Sequence, residues 1–165
     1  MPIIRIETQI KSTLEICFDL SRSIDLHKIS TAQSKEEAIA GRTSGLIEFG
    51  ETVTWEANHL GIRQQLTSAI TKMDAPKHFR DEQLKGIFAF FKHDHYFEKK
   101  DDIVMMTDIF DYSSPFGILG KIVDLLFLEK YMTRLLVDRN NVIKDFAESD
   151  KWKQIPLLNF NKYDY

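Results

Sequence analysis

The stretch from Gly117 to Glu148 constrains this chain most. It follows Pro115, whose fixed φ and missing N–H suit the first turn of a helix. Ile118, Ile122, Leu125, Leu126, Met132, Leu136, Ile143 and Phe146 recur along it at helical spacing. From Ile118 to Leu128 it is apolar nearly all round, which predicts burial on more than one side. The second half carries Glu129, Lys130, Arg134, Asp138, Arg139 and Lys144, so one side is expected to be wet, with Arg134 and Arg139 on the solvated face. At about 1.5 Å per residue, such a helix spans about 45 Å. It needs a wide partner surface.

The upstream sequence supplies that surface as strands. Ile4, Ile6, Thr8 and Ile10 alternate with polar residues, which predicts a first strand. Ser12 to Glu15 has capping-box spacing, with Ser12 expected as the N-cap of a short helix carrying Leu14, Cys17, Phe18 and Leu20. A second short helix is expected over Ser23 to Thr31. Residues 32–45 are polar and read as a connection with a short strand. From Leu46 the period becomes two, with Val53, Trp55, Ala57 and His59 on one side. Gly61 and Ala75-Pro76 mark turns on either side of a strand over 62–72. Lys77 to Leu84 is the next strand, and Gly86 interrupts it. Residues 87–97 follow, with Ile87, Ala89, Phe91, His93, His95 and Phe97 expected on one face. The charged run 98–102 is a hairpin connection, and Ile103 to Tyr112 returns as the last strand. Short turns make these neighbours antiparallel.

A length of 165 residues suits one domain over 1–165, large enough to bury a core. The net charge of −3 and the lack of a basic stripe argue against a nucleic-acid partner. No run of about 18 apolar residues is present, so no membrane span is expected. Met1 to Arg5 does not resemble the start of a signal peptide, and Cys17 is the single cysteine; a cytoplasmic location is the expectation. The apolar tail from Trp152 to Tyr165 is expected to pack either on the outer sheet surface or on a second protomer, the latter making a homodimer.

This layout resembles the helix-grip fold of the START/Bet v 1-like superfamily, also called SRPBCC. The resemblance covers nearly the whole chain. It is carried by the Gly41–Gly45 segment, Gly50 to Ala57, Pro76-x-x-Phe79-x-Asp81, His93-x-His95-x-Phe97 and Asp108-x-Phe110-x-Tyr112-x-x-Pro115-x-Gly117. It implies an α+β fold, with a curved antiparallel sheet of about seven strands around the long helix and two short helices after strand 1. The bacterial polyketide cyclase/dehydratase-like and ligand-binding members are the most similar group. The resemblance further implies a hydrophobic cavity between sheet and helix, holding a lipid-, polyketide- or quinone-like molecule. It brings no shared catalytic signature, so binding is expected rather than catalysis, and no cofactor.

Parity within strands nominates the residues around such a cavity. His93 and His95 leave one face together with Phe91 and Phe97. Met106, Asp108 and Phe110 share a parity on the next strand, and a hairpin symmetric about Lys99–Asp102 would put Asp108 opposite His93. Trp55 and His59 share the inward parity of their own strand, and Ile122 and Leu126 come from the long helix. Two histidines and an aspartate suit zinc or non-haem iron, but no HExxH and no cysteine ligand accompanies them, so a metal-free cluster is expected. Two readings of that cluster stay open: buried polar groups that merely satisfy one another, or an anchor for a ligand's polar end. As an enzyme of the cyclase/dehydratase kind, the chain would use these His and Asp groups as acid and base. A protein-interaction module with a vestigial cavity is the third possibility.

Overall fold

The computed structural model describes residues 3–59, 61–114 and 127–155. Pro115, Gly117, Ile118, Ile122, Leu125, Leu126 and the chain beyond Ile155 lie outside them. Seven strands form one antiparallel sheet: β1 (Ile3–Ile10), β2 (Glu37–Gly41), β3 (Thr52–His59), β4 (Ile62–Asp74), β5 (His78–Lys85), β6 (Phe90–Lys100) and β7 (Ile103–Ser113). Their spatial order is β1-β7-β6-β5-β4-β3-β2, so the first strand closes against the last. Three helices lie with the sheet: α1 (Leu14–Ser21), α2 (Ile24–Ser30) and α3 (Glu129–Ala147). The α+β helix-grip architecture is therefore present.

Local chemistry accounts for most boundaries. α1 is capped by Thr13, whose hydroxyl accepts from the Ile16 N–H at 3.2 Å, not by Ser12. The N-cap is thus one residue later than expected, and with Ile16 at the third helical position the motif is a simple N-cap and not a capping box. Ser23 caps α2 by accepting from Leu26 N–H at 3.2 Å. Gly41 ends β2 at φ 73°, where a Cβ would collide with the Thr52 carbonyl, so only glycine fits. The β6–β7 hairpin turns tightly at Asp101-Asp102, with Asp101 at φ 54°. Lys100 pairs with Ile103, so Asp108 comes opposite His95, and Phe110 opposite His93. The expected pairing is off by two residues, which leaves every side chain on its expected face.

The approach to β6 departs from simple alternation. Residues 86–89 form a bend, and β6 begins only at Phe90. Phe88 turns inward, while Ile87 is 40% exposed and Ala89 is also exposed. A strand drawn through residue 87 therefore places Ala89 wrongly, whereas the half-exposed Ile87 still lines the cavity.

α3 packs against β1, α1 and α2. Its buried stripe is Leu136, Arg139, Asn140, Ile143 and Ala147. Arg139 is thus an interior residue, contrary to the solvated position expected for it, whereas Arg134 is exposed. A π-type turn at 127–128 precedes the helix. Two apolar clusters fill the interior. One joins Cys17, Phe18, Phe79, Phe97, Met106 and Ile143, and the other joins Ile4, Phe88, Phe91, Phe110, Tyr112 and Leu136. Burial pushes the Cys17 thiol up to about 12, consistent with a small core residue. Ile155 is buried in the first cluster and Trp152 packs on it, so the start of the C-terminal segment joins the core between sheet and helices and not the outer sheet surface. Among the described residues, no helix is long and apolar enough to cross a membrane.

Candidate functional site

A cavity of about 230 Å³ lies between the inner sheet face and helices α2 and α3. Its wall is mainly apolar, with Ile24, Ile47, Leu66, Ile70, Phe88 and Met132 among its residues. Of the residues nominated from sequence, Trp55, His59, Phe91, His93, His95 and Phe110 line it. Met106 does not: it is fully buried, with its sulfur 3.5 Å from the Ser21 hydroxyl. Asp108 does not line it either, because it lies behind the two histidines with no exposed surface. Ile122 and Leu126 fall outside the described residues.

The polar part of the wall is built on three adjacent strands. Asp108 Oδ1 on β7 is 3.0 Å from His93 Nε2 and 2.8 Å from His95 Nδ1, both on β6. The His95 contact is short but poorly aligned, so it is an electrostatic contact more than a hydrogen bond. Asp81 on β5 closes the cluster, with Oδ1 3.0 Å from His95 Nε2 and 3.8 Å from His93 Nδ1. From α3, Asn140 Nδ2 donates to Asp108 Oδ2 at 2.7 Å. Arg139 lies 3.6 Å from Asp108 Oδ1 and donates to the Ser21 carbonyl at 2.8 Å.

These contacts set the charges. Burial alone would raise the Asp108 carboxyl, but hydrogen bonding to His93 and charge from His95 hold it well below the usual carboxylate range. Asp81 is likewise penalised by burial and yet lowered, by His95 first and His93 next. Burial lowers His95, but its two carboxylate neighbours raise it above the ordinary imidazole value. His93 is lowered, by burial first and by the neighbouring His95 second. Burial and the neighbouring His95 thus favour the neutral form of His93, and the two carboxylates favour the charged form of His95. An ionised carboxylate only accepts, so His93 Nε2 bears the proton directed at Asp108. Its Nδ1 is then a lone pair at the cavity wall.

A second polar group lies on the β2–β3 side. Glu36 Oε2 is 2.7 Å from His27 Nε2, and its Oε1 accepts from the Ser34 hydroxyl at 3.0 Å. His59 Nε2 is 3.7 Å from Glu36 Oε1, and His59 Nδ1 is 2.9 Å from the Tyr131 hydroxyl. The His27 ring stacks on Trp55, with centroids 4.2 Å apart. Burial would raise Glu36, but hydrogen bonding and charge from His27 lower it. Of this group the sequence nominated Trp55 and His59 but missed His27, Glu36 and Tyr131, along with Asp81, Asn140 and the interior position of Arg139. A signal existed for the last two: residues 136, 139, 140, 143 and 147 share one helical face. Nothing local in the sequence joins His27 to Glu36 and His59.

The sheet and helices form a helix-grip fold with a lined cavity between them. No protein-family model matches the sequence, and none of the curated proteins does. Solved structures do match in fold. TTHA0849 from Thermus thermophilus superposes with a TM-score of 0.69 at 17% identity, over 88% of this chain and 99% of that one. The ginseng major latex-like protein 151 from Panax ginseng gives 0.67 at 15%, over 90% and 98%. A START superfamily protein from Mycobacterium smegmatis gives 0.66 at 9%, over 88% and 97%. At these identities the likeness is one of fold.

Proposed function

We propose that this chain binds an amphipathic, largely apolar small molecule in the cavity between sheet and helices, with the ligand's polar end held at His93. The observation that carries this reading is the pairing of an apolar wall with a lining imidazole, His93, whose Nε2 is anchored to Asp108 while its Nδ1 lies 3.8 Å from Asp81. A group needed only to fill the core would be satisfied on both sides; His93 is anchored through Nε2 and is 3.8 Å from its nearest carboxylate through Nδ1. Ligand hydroxyls or protonated carboxyls donate to such a nitrogen. The likeness in fold to a START superfamily protein and a major latex-like protein supports the same reading.

A fluorescent long-chain alcohol, whose hydroxyl can donate to that nitrogen, titrated in the presence of a chelator, tests it. The wild-type protein should take up one molecule per chain. His93→Phe should fold and lose about tenfold in affinity, the scale of one hydrogen bond to a polar head. A purely structural cluster predicts the reverse: lower stability with unchanged affinity in the folded fraction. Absence of uptake by the wild-type protein refutes the reading.

The same lone pair favours the catalytic alternative over the interaction module. A neutral imidazole backed by a carboxylate is a general-base arrangement. Base chemistry would exchange deuterium from solvent into the carbon beside a bound ketone's carbonyl, and His93→Gln would stop that exchange.

A further inference from the structure

The ring nitrogens that face the cavity differ from those that face the core. His93 uses Nε2 and His95 uses Nδ1 toward Asp108, which is fully buried behind them. His93 Nδ1 and His95 Nε2 are left on the cavity side, and Asp81 Oδ1 lies between them at 3.8 and 3.0 Å. All three donor atoms fall within 4.8 Å of one another. Two imidazoles and one carboxylate, each ring with its outer nitrogen turned to a second carboxylate, is how proteins orient metal-bound histidines.

We propose that Asp81, His93 and His95 form a binding site for a divalent first-row transition metal, open to the cavity. Three arguments support it. The donor set of two nitrogens and one oxygen suits zinc or iron(II) and not magnesium or calcium. The spacing is close to what is needed: donors at about 2.0–2.2 Å from a tetrahedral ion lie about 3.3 Å apart, against 3.0 and 3.8 Å here. The support is already built, since Asn140 fixes Asp108 Oδ2 at 2.7 Å and so fixes the carboxylate that orients both rings.

The ion takes the place of the proton that His95 Nε2 shares with Asp81, and that proton passes to solvent. Charge then specifies the remaining ligand. Two carboxylates face one divalent ion and the Arg139 guanidinium, which leaves one positive charge in a largely apolar wall. An anionic oxygen directed from the cavity would neutralise it: a carboxylate, an enolate or a phenolate. The metal site thus goes beyond the ligand-binding reading and does not depend on it, because it exists without any organic ligand.

Zinc alone is the probe. Protein stripped with a chelator, equilibrated with zinc and passed through gel filtration should retain one zinc per chain by elemental analysis. Asp81→Asn and His93→Gln should each weaken zinc binding about a hundredfold or more, exceeding the 10–100-fold typical of groups behind the ligands. The double variant His27→Gln/His59→Gln, at the other polar group, should keep the full stoichiometry. Imidazole ¹⁵N resonances of the wild-type protein supply a readout that needs no variant: zinc should shift His93 Nδ1 and His95 Nε2 and leave His78 unmoved. No retained zinc, retention unaffected by Asp81→Asn and His93→Gln, or ¹⁵N shifts confined to other histidines would each overturn the site. Uptake of the long-chain alcohol in chelator is scored separately, so either reading can fail alone.

Discussion

Asn140 on the C-terminal helix holds the second oxygen of Asp108 at 2.7 Å and, through the same amide nitrogen, contacts the Thr8 hydroxyl at 3.2 Å. One side chain thereby ties the helix to β1 and β7 and completes the solvation of a carboxylate with no exposed surface. Asp108 Oδ1 is left to the two histidines and the nearby Arg139 guanidinium. The polar cluster is thus fixed from the core side and open on the cavity side.

Asn140→Leu removes that donor while keeping roughly the same volume. Asp108 Oδ2 is then buried without a partner, a penalty of about 2–3 kcal/mol for a charged acceptor. Urea unfolding should show a lower midpoint with an unchanged slope. A variant as stable as the wild type would mean that the amide does not carry this carboxylate.

Arg139 brings a cation from α3 to the cluster. It faces Asp108 and donates to the Ser21 carbonyl at the C-terminal end of α1. Arg139→Met keeps the apolar stem and deletes the charge, which takes the donor from the Ser21 carbonyl and a nearby cation from Asp108, a loss of about 1–3 kcal/mol. Arg139→Lys should recover part of it, since an ammonium reaches one partner but not both. Thermal unfolding of the two variants checks the order: wild type, then Lys, then Met.

Glu36 gives a pH dependence whose direction follows from its environment. Its carboxyl is lowered below the ordinary 4.5 despite burial, because His27 hydrogen-bonds and charges it, with Ser34 and His59 adding to the effect. Tyr131 also faces it, and its hydroxyl is raised by burial and by the Glu36 charge. The unfolded chain therefore takes up this proton first on acidification. The contribution is complete above about pH 5 and is lost as pH falls through the folded value. Glu36→Gln should be less stable than the wild type at pH 6, and the gap should close between about pH 5 and 3. A gap that stays constant over that range would show that ionisation at Glu36 contributes nothing.

Parity is the legible part of this fold. The alternation of Val53, Trp55 and Ala57, and of Val104, Met106, Asp108 and Phe110, gives the inward faces directly, because a strand has a period of two. The pairing of His95 with Asp108 is not legible, because it depends on whether the charged run 98–102 turns over two residues or more. Asp101 in the left-handed region makes the two-residue turn. Gly86 signals an interruption but not that Phe88 turns inward in place of Ala89. Arg139 is misplaced when charge is weighed above periodicity, although it falls on the stripe of Leu136 and Ile143. Asp81 is visible only as part of a motif, since its partners lie on a strand that only the sheet brings beside it.

Trp55 reports on the cavity independently of the histidine cluster. It is 8% exposed, lines the cavity and stacks on His27 with an interplanar angle of 29°. The second tryptophan, Trp152, packs on the core outside the cavity wall, so Trp152→Phe leaves Trp55 as the sole indole of the described residues. β3 and β6 are three strand spacings apart, about 14 Å at about 4.8 Å each. A nonfluorescent long-chain alcohol entering the cavity should therefore displace water beside Trp55 and shift its emission to shorter wavelength, saturating at one molecule per chain. Adding His93→Phe should move the midpoint of that titration about tenfold without altering the spectrum at saturation, because the substitution acts at the far side of the cavity. Emission that stays constant while uptake is independently measured would place the ligand elsewhere than beside β3. An unchanged midpoint in the His93→Phe background would remove His93 from ligand binding and leave it a structural residue.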